Sequence, residues 1–582
     1  MIPHLLARFL AAVAMLLLAA ASTRAQDGQV LIPLPAGSDG VVVTEISIEA
    51  RGSTGDPGRD SELKGEARRL VAIAPGESFD IALADGTALR LRRLPGVRNA
   101  TWELRRGVNP DRVVLLLRLD LAPGRRGPEP EGLVATGSGF PLLWRSDTAM
   151  LTLTLNGGVG AYSDRNPWFR QAPVFTRGNP LVRNPGLGAG TGASTSWAEN
   201  ATEAGLAGAV QLGGSAFYAY GALSWIAVSS AGRDIFRDDT RATFNIEKGY
   251  AGLLYVAPDG SFKGSLSAGR QTFTLNDGFL ISQFGSQSNA GPRPGVYLAP
   301  RTTLDNAVLA KAAWGRWTLQ GFYLDPNEYE PLESNTRVLG ANLRYTVTPS
   351  FYGDATVYTV PRSETKYVLT DGRAGTREGL TTFAGHLRWA DASVLRGLWL
   401  ESEAAHQTSS TLPMNAWAGY GTVGYLASGL PWTPSLSYRL SVFTGDDPRT
   451  RTFERFDPLY SGGLAEWLQG ISTAKALPPA NRVSHRLRAN VSPFAGLDLT
   501  VDWFVHRADR LNNRGANPAL AQLRSEDLGQ EAQATVRWAL NRNLYVLAVA
   551  AHAVPGRAIK LAMPDGAAKP WSTLQAQLFW SF

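Results

Sequence analysis

The C-terminal stretch from Trp571 to Phe582 reads WSTLQAQLFWSF, and it decides the fold. In an extended chain, one face of this stretch carries the apolar side chains Leu574, Ala576, Leu578, Trp580 and Phe582. The opposite face carries Gln575, Gln577, Phe579 and Ser581. Alternation of this kind is typical of a β-strand with apolar surroundings on one side and water on the other. The stretch therefore predicts a strand that lies between two different solvents.

The same alternation recurs from about residue 146 onward, for example in the stretches Ser435 to Phe443, Leu497 to His506 and Glu531 to Trp538. Segments of roughly ten such residues, separated by turns or loops, are the sequence pattern of an outer-membrane barrel. Candidate strands begin near residues 146, 200, 215, 241, 262, 303, 317, 335, 350, 380, 397, 415, 433, 483, 496, 530, 543 and 571. The pattern predicts a mainly β fold, a transmembrane antiparallel β-barrel over 146–582 with about 18 strands; 16 strands is the alternative.

The lengths of the connections distinguish this barrel from a soluble β-sandwich, whose strands alternate as well. Long connections, such as 157–198, 272–302, 445–481 and 509–526, alternate with tight turns such as Gly213-Gly214 and Gly315-Arg316. Long loops on one side and short turns on the other are typical of bacterial outer-membrane barrels. An even number of strands returns the C-terminus to the periplasmic side, where the barrel begins. A barrel this wide encloses a lumen.

Both ends of the chain indicate the outer membrane of a Gram-negative bacterium. The weakly basic start, the apolar run Phe9 to Ala21 and Thr23-Arg24-Ala25 predict a signal peptide, residues 1–25, cut before Gln26. The alternative is a membrane anchor, but the run is shorter than the about 20 residues that a bilayer requires. No later stretch is apolar enough for a membrane-spanning helix, which leaves a closed barrel for crossing the membrane. A C-terminal Phe582 behind Trp580 and Leu578 resembles the signal read by the barrel assembly machinery.

Residues 40–122, after an N-terminal segment at 26–39, follow a different pattern. A strand-like run, Val41 to Ile48, precedes two helix-like stretches, Ser61 to Ile73 and Ile81 to Leu94. Two further strands are predicted, Val97 to Arg105 and Arg112 to Leu121. This β-α-α-β-β order predicts a small α+β domain. A Pro- and Gly-rich stretch, 123–145, is interpreted as a linker to the barrel.

Two motifs in this domain suggest a family. Gly76-x-Ser78-Phe79-Asp80 and Leu91-x-x-Leu94-Pro95-Gly96-Val97 resemble segments of the POTRA (polypeptide-transport-associated) domain. The resemblance covers about 80 residues, the size of one small domain. It implies a periplasmic module that binds an extended polypeptide, or another periplasmic protein or polysaccharide partner, along a strand edge. The alternative is an α/β plug or spacer without that function.

Strand alternation places many charged side chains of the barrel toward the lumen. The arginines are Arg344, Arg388, Arg439, Arg486, Arg488 and Arg537; the carboxylates are Glu401, Glu403, Asp498 and Asp502. Rings of fixed charge select among ions and polar solutes in a pore, so the arginines predict a preference for anions. The formal charge of +7 agrees with this preference. Alternatively, these groups are ion pairs between strands that only stiffen the wall.

One further motif resembles a known family of channels. Gly269-Arg270-Gln271, followed by Asn276-Asp277-Gly278-Phe279, resembles the Gly-Arg-Gln segment of alginate-export-type barrels. The resemblance covers about ten residues, and short motifs match by chance often. It implies an arginine-lined channel for an anionic polysaccharide.

Three functions compete at this point. The first is an outer-membrane channel for hydrophilic, anionic solutes or an anionic polysaccharide. The second is a polypeptide translocase or assembly factor of the two-partner secretion type, although the nearest match to its Val-Arg-Gly-aromatic motif is Leu395-Arg396-Gly397-Leu398. The third is a barrel hydrolase, in which a histidine such as His386 or His506 meets Glu401 or Asp502. No catalytic motif is present, and cysteine is absent, so we expect no enzyme, cofactor, metal or nucleic-acid partner.

Overall fold

The computed structural model describes residues 32–33, 41–106, 113–124, 132–135, 141–168, 194–234, 239–282, 291–298, 303–369, 371–390, 396–461, 469–514, 520–541, 543–563 and 568–582. The predicted signal peptide, and residues 26–39 apart from Ile32–Pro33, lie outside these ranges. No helix in the described ranges is long and apolar enough to cross a membrane.

The N-terminal domain, residues 41–122, has the predicted β-α-α-β-β order. A short strand, β1 (Ile32–Pro33), precedes the domain. The domain itself consists of β2 (Val42–Val43), β3 (Glu45–Gly52), α1 (Pro57–Leu70), β4 (Glu77–Ser78), α2 (Ile81–Leu91), β5 (Val97–Arg106) and β6 (Val113–Leu121). The main sheet has the order β1-β5-β6-β3, and β3 is parallel to β6. Helix α1 begins where the Asp56 carboxylate accepts the backbone N–H of Gly58 at 2.8 Å.

The rest of the chain forms a closed antiparallel barrel of 18 strands. The strands are β9 (Ala149–Arg165), β10 (Thr195–Gln211), β11 (Phe217–Arg233), β12 (Arg241–Val256), β13 (Phe262–Arg270), β14 (Asn306–Trp314), β15 (Trp317–Asp325), β16 (Arg337–Thr348), β17 (Phe351–Arg362), β20 (Leu380–Ala390), β21 (Leu398–Ser409), β22 (Ala416–Leu426), β23 (Ser435–Phe443), β24 (Arg482–Phe494), β25 (Leu497–Arg507), β26 (Asp527–Ala539), β27 (Leu544–Pro555) and β28 (Trp571–Ser581). The prediction of 18 strands is confirmed, and the alternative of 16 is wrong.

Smaller elements lie in the connections. A hairpin of β18 (Lys366–Val368) and β19 (Ala374–Thr376) lies between β17 and β20, and helix α3 (Arg557–Ala562) precedes β28. Two 3₁₀ turns span Glu330–Leu332 and Thr473–Lys475. The connections alternate in length as predicted: β14 and β15 are joined by two residues, 315–316, whereas β13 and β14 are joined by 271–305.

The predicted linker is wrong in part. Strands β7 (Gly132–Ala135) and β8 (Pro141–Arg145) lie within 123–145, and β8 pairs with the first residues of β9. The last strand, β28, reaches along β9 only as far as Asn156. Residues 150–152 of β9 would therefore have an open edge, and β8 occupies it.

The seam between β9 and β28 closes the barrel and contains the predicted assembly signal. Gly157 pairs with Trp580. A larger residue would not fit at position 157, because a Cβ there would come within 2.6 Å of the indole ring. The backbone N–H of Phe582 donates to the carbonyl of Leu155 at 3.0 Å. The terminal aromatic residues therefore lie within the pairing that closes the sheet.

The alternation along the strands has the predicted orientation. In β25, Val501 and Trp503 are 52% and 48% exposed on the outer face, whereas Asp502 between them is 1% exposed. Apolar side chains toward lipid and polar side chains toward the interior are what a membrane barrel requires.

The N-terminal domain packs against the inner surface of the barrel, at the end with the short turns. Helix α2 contacts β9, β10 and β11. Ala207, Ala209 and Tyr218 of the wall are buried in the same apolar cluster as Ile81 and Ala84 of the helix. The two units therefore share one apolar core.

Candidate functional site: the charged interior of the barrel

A belt of charged side chains crosses the inner surface from β16 to β26. The charged belt consists of Arg344, Asp354, His386, Arg388, Glu401, Glu403, Arg439, Arg486, Arg488, Asp498, Asp502 and Arg537. Strand register brings many of these residues side by side, as with Arg388 and Glu401 or Arg488 and Asp502. All six arginines and four carboxylates predicted from the sequence belong to it.

The first half of the belt is a chain of ion pairs and hydrogen bonds. Arg344 Nε donates to Asp354 Oδ1 at 2.7 Å, and the other oxygen of Asp354 lies 3.0 Å from His386 Nδ1. His386 Nε2 lies 3.3 Å from Glu401 Oε1, and Arg388 donates to Glu401 Oε2 at 2.9 Å. Asp354 and His386 were not predicted as members of the belt, although Asp354 alternates in phase with the buried Tyr352.

The second half, on β23 to β26, has more arginines than carboxylates. Arg488 Nε donates to Asp502 at 2.7 Å, and Arg486 lies 3.9 Å from the same carboxylate. Arg439 donates to the hydroxyl of Thr422 at 2.8 Å, and Arg537 donates to Thr500 at 3.1 Å. Asp498 accepts a hydrogen bond from Asn490. Within the charged belt, four arginines therefore share these strands with two carboxylates, Asp498 and Asp502; Arg482 and Glu531, outside the belt, are also buried on this face.

The long loop after β13 folds into the lumen and reaches the belt. Asn276 Oδ1 accepts from Arg344 at 3.0 Å. Phe279 is buried against Tyr420 and Phe443 of the opposite wall, with ring centroids 5.1 and 5.5 Å apart. The far end of this loop is held by Glu199, whose carboxylate accepts the backbone N–H groups of 296–298 at 2.7 to 3.0 Å.

A second long loop, between β23 and β24, is held by buried ion pairs. Arg377 donates to Asp457 at 2.7 and 3.1 Å. Burial would raise the pKa of Asp457, but the charge of Arg377, together with hydrogen bonds from Arg377, Tyr367 and the backbone of Leu459, lowers that pKa. Lys475 of the same loop lies 2.8 Å from the buried carboxylate of Asp164 on β9. The loop is therefore fixed to the connection between β19 and β20 on one side of the lumen and to β9 on the other.

The Gly-Arg-Gln motif lies at the point where the first loop leaves the wall. Gly269 has φ +122°, a backbone conformation that favours glycine. Arg270 donates to the backbone carbonyls of Ile246 and Glu247 at 2.9 and 3.0 Å, and Gln271 donates to the carbonyl of Ala307 at 3.2 Å. The motif joins three strands at the upper rim, where the chain turns inward.

The N-terminal domain also contacts the wall through polar groups. Tyr250 donates to the carboxylate of Asp80 at 2.7 Å, and Ser78 donates to the carbonyl of Thr274 at 3.0 Å. A cavity of about 90 Å³ remains between the domain and strands β11 to β15, with Glu77, Asp80, Lys248, Tyr250 and Lys311 among its lining residues. The domain therefore contacts both the wall and the inward-folded loop.

Of the histidines named for a hydrolytic site, His386 lies 3.3 Å from Glu401 within the charged belt, whereas two others lie beside serine hydroxyls. His506 Nδ1 lies 2.8 Å from the hydroxyl of Ser484, and His552 Nδ1 lies 3.1 Å from that of Ser572. In the described ranges, neither ring has a carboxylate within hydrogen-bond distance. Across the same residues, no group of three or more histidines and carboxylates is arranged to hold a metal ion.

A family model for alginate export matches residues 237–571, which is more than half of the chain. The chain belongs to the alginate export family. Membership confirms the predicted family, the outer-membrane location and a protein of the channel type. The match does not reach residues 40–122, so the resemblance of the N-terminal domain to POTRA modules stays a prediction.

Solved structures of porins are similar to this barrel at low sequence identity. Pseudomonas aeruginosa OpdL is 12% identical, covers 75% of this chain and 98% of its own, and has a TM-score of 0.44. Pseudomonas aeruginosa OccK11 (OpdR) is 11% identical over 74% of this chain and 96% of its own, with a TM-score of 0.40. Salmonella typhi OmpF, in complex with daunomycin, is 12% identical over 74% and 98%, with a TM-score of 0.34. No curated protein matches the chain.

Proposed function

We propose that the chain is an outer-membrane channel for anionic solutes, in particular an anionic polysaccharide. The observation that supports this most is the composition of the charged belt between β23 and β26. There, Arg439, Arg486, Arg488 and Arg537 face the interior beside two carboxylates, Asp498 and Asp502. Fixed cations in a narrow lumen raise the local concentration of anions and lower the barrier to their passage.

The position of the N-terminal domain supports a path along this arginine-rich wall. The hydrogen bonds and ion pairs described for the domain reach strands between β9 and β16, on the other side of the barrel. The inward-folded loop after β13 contacts that side through Asn276 and then crosses the lumen, where Phe279 packs against Tyr420 and Phe443. We therefore infer that anions pass between this packed half and the arginines of β23 to β26.

The experiment is a measurement of the reversal potential across planar bilayers that separate two concentrations of potassium chloride. Arg439→Ser and Arg537→Ser should each lower the preference for chloride, because each removes one fixed cation from the wall. Arg449→Ser is the matched control, since Arg449 lies in a loop outside the belt and its side chain is 82% exposed. Equal chloride selectivity in the natural chain and in all three variants would reject the proposed path.

A periplasmic protein or polysaccharide partner of the N-terminal domain also stays a proposal. Strand β3 lies at one edge of the main sheet, next to β6, and an edge strand can accept a further strand. Deleting residues 40–122 should abolish recruitment of such a partner to outer-membrane vesicles. Unchanged recruitment would argue against this role.

A further inference from the structure

The tip of the long loop after β13, residues 276–279, crosses the charged belt inside the lumen. At one end of this loop tip, Asn276 Oδ1 accepts a hydrogen bond from Arg344 on β16 at 3.0 Å. At the other end, the ring centroid of Phe279 lies 5.1 Å from that of Tyr420 on β22. The loop tip therefore lies over β17, β20 and β21, the strands between these two contacts.

Two acidic groups meet beneath the loop tip. Asp277 belongs to the tip itself, and Glu403 of β21 is the register partner of Tyr420 and is 3% exposed. Asp277 and Glu401 are among the charges that act on Glu403. Oδ1 of Asp277 accepts the backbone N–H of Phe279 at 3.1 Å. Its Oδ2 and both carboxylate oxygens of Glu403 are buried, and none of these three atoms has a hydrogen-bond partner among the described residues.

Four cations surround this pair, and in the described ranges none of them forms an ion pair with Asp277 or Glu403. They are Arg344 on β16, His386 and Arg388 on β20, and Arg439 on β23. The contacts of the belt instead join these cations to Asp354, Glu401 and Thr422. The other titratable groups around the pair are Asp354 and Tyr358 on β17, Glu401 on β21, Tyr420 on β22, and Asp457 of the second long loop.

Two ionised carboxylates in this position are unfavourable. A buried carboxylate without a donor has lost its hydration and gained nothing in return, and a second carboxylate beside it adds repulsion. Burial, and after it the charge of Glu401, raises the pKa of Asp277 above its ordinary value. The groups that act in the opposite direction are His386, Arg439 and Tyr420. A proton on one of the two carboxyl groups removes the repulsion and supplies the missing donor.

We propose that Asp277 and Glu403 share a proton that holds the loop tip in the lumen, so that the channel opens as the pH rises. When the loop tip leaves the belt, Asp277 enters water, where an aspartate has a pKa of about 3.9. The inserted state then binds more protons than the released state, so it is most stable below about pH 4 and weakens as the pH rises. One released proton changes the ratio of released to inserted tips by up to about tenfold per pH unit. Opening by this route does not depend on which solute passes through the lumen.

The test measures whether the loop tip is inserted. The chain has no cysteine, so Ser282→Cys introduces a single thiol. Ser282 follows the loop tip, is 6% exposed and donates to the carbonyl of Tyr460 at 3.3 Å. The rate at which a hydrophilic maleimide labels this thiol is measured on the folded full chain in detergent, at pH 6 and at pH 8. Proteins are compared at the same pH, because the reactivity of a thiol itself rises with pH.

Asp277→Asn and Glu403→Gln each imitate the pair with its proton in place. At pH 8, either change should slow labelling about tenfold relative to Ser282→Cys alone, because the loop tip then stays inserted. At pH 6 the difference should be less than about twofold, since the natural pair already holds its proton. The matched control is Glu378→Gln, which removes one exposed carboxylate between β19 and β20 and should leave the labelling rate unchanged. Combining Asp277→Asn with Glu403→Gln should slow labelling no more than either change alone.

Three results would overturn the proposal. The first is a ratio of labelling rates that is the same at pH 6 and pH 8. The second is an equal slowing in Glu378→Gln. The third is faster labelling in Asp277→Asn at both pH values, because an ionised Asp277 would then hold the loop tip through the charges of His386 and Arg439. The two variants lie on opposite sides of the contact, so a folding defect in one leaves the other to decide.

Discussion

Replacing Asp85 with asparagine should remove a pH dependence from the attachment of the N-terminal domain. Asp85 lies on α2, and its carboxylate accepts hydrogen bonds from Trp102 at 2.8 Å and from Thr152 of the wall at 2.9 Å. Burial raises the pKa of Asp85 from 3.8 to about 7. Ionising this group in the attached domain therefore costs at most about 4 kcal/mol more than in water.

The sign of the effect follows from proton binding. Because the pKa is raised in the attached state, that state binds more protons between pH 4 and pH 7. The attachment is therefore most stable below about pH 4, weakens as the pH rises to about 7, and stays at the weaker value above it. Asparagine does not ionise, although it donates through its amide and loses part of the hydrogen bonding, at a cost of about 1 to 2 kcal/mol. Asp85→Asn should therefore strengthen the attachment by about 2 kcal/mol at pH 8.

Hydrogen exchange of residues 81–91, measured in detergent at pH 5 and pH 8, checks this expectation. The two proteins are compared at the same pH, so that the intrinsic exchange rate cancels. At pH 8 the variant should exchange roughly 30-fold more slowly, the factor that corresponds to about 2 kcal/mol. At pH 5 the difference should be smaller or reversed. A ratio of rates that is the same at both pH values would refute the assignment of Asp85 as a titrating contact.

Three further predictions concern the loops and the rim. Lys475→Met leaves the buried Asp164 carboxylate without its ion-pair partner and should destabilise the barrel by about 3 kcal/mol. Heat-shift electrophoresis should show this as a lower unfolding temperature. Combining Lys475→Met with Asp164→Asn should recover most of the lost stability. Glu199→Ala removes the acceptor of three backbone N–H groups, so chymotrypsin should cut after Tyr297 about tenfold faster, and an unchanged rate would contradict the anchoring role. Gly269→Ala places a Cβ against the Gly249 carbonyl and should reduce the yield of folded barrel in outer-membrane fractions, whereas Gly321→Ala, with nothing within 4 Å of a Cβ, should not.

The barrel was largely predictable from the sequence, because lipid imposes a strict alternation on each strand. That alternation places Val501 and Trp503 on the outer face of the barrel and Asp502 on the inner face. The alternation of long and short connections indicates which strand ends lie on the same side of the membrane. The start of each predicted strand lies within a few residues of its position in the structure. The hairpin at 132–145 was missed because Pro and Gly also indicate a linker.

The contents of the lumen were not predictable in the same way. Alternation shows that a side chain faces inward, but it does not show what faces it across the lumen. Lys263 and Lys311 are in phase with inward-facing residues. Their partners, however, are backbone carbonyls and the Glu77 carboxylate in a segment about 190 to 240 residues earlier in the chain, and no local pattern connects them. Gly76 and Ser78 were noticed only as part of a family-like motif, and both prove to contact the barrel interior.

The most direct test of the central claim is the reversal potential of single channels formed by the natural chain and by the double variant Arg439→Ser/Arg537→Ser, under a gradient of potassium chloride. We predict open channels that prefer chloride in the natural chain and a weaker preference in the double variant. Channels that prefer potassium, or no conductance in either protein, would contradict the claim that this barrel conducts anions past an arginine-rich wall.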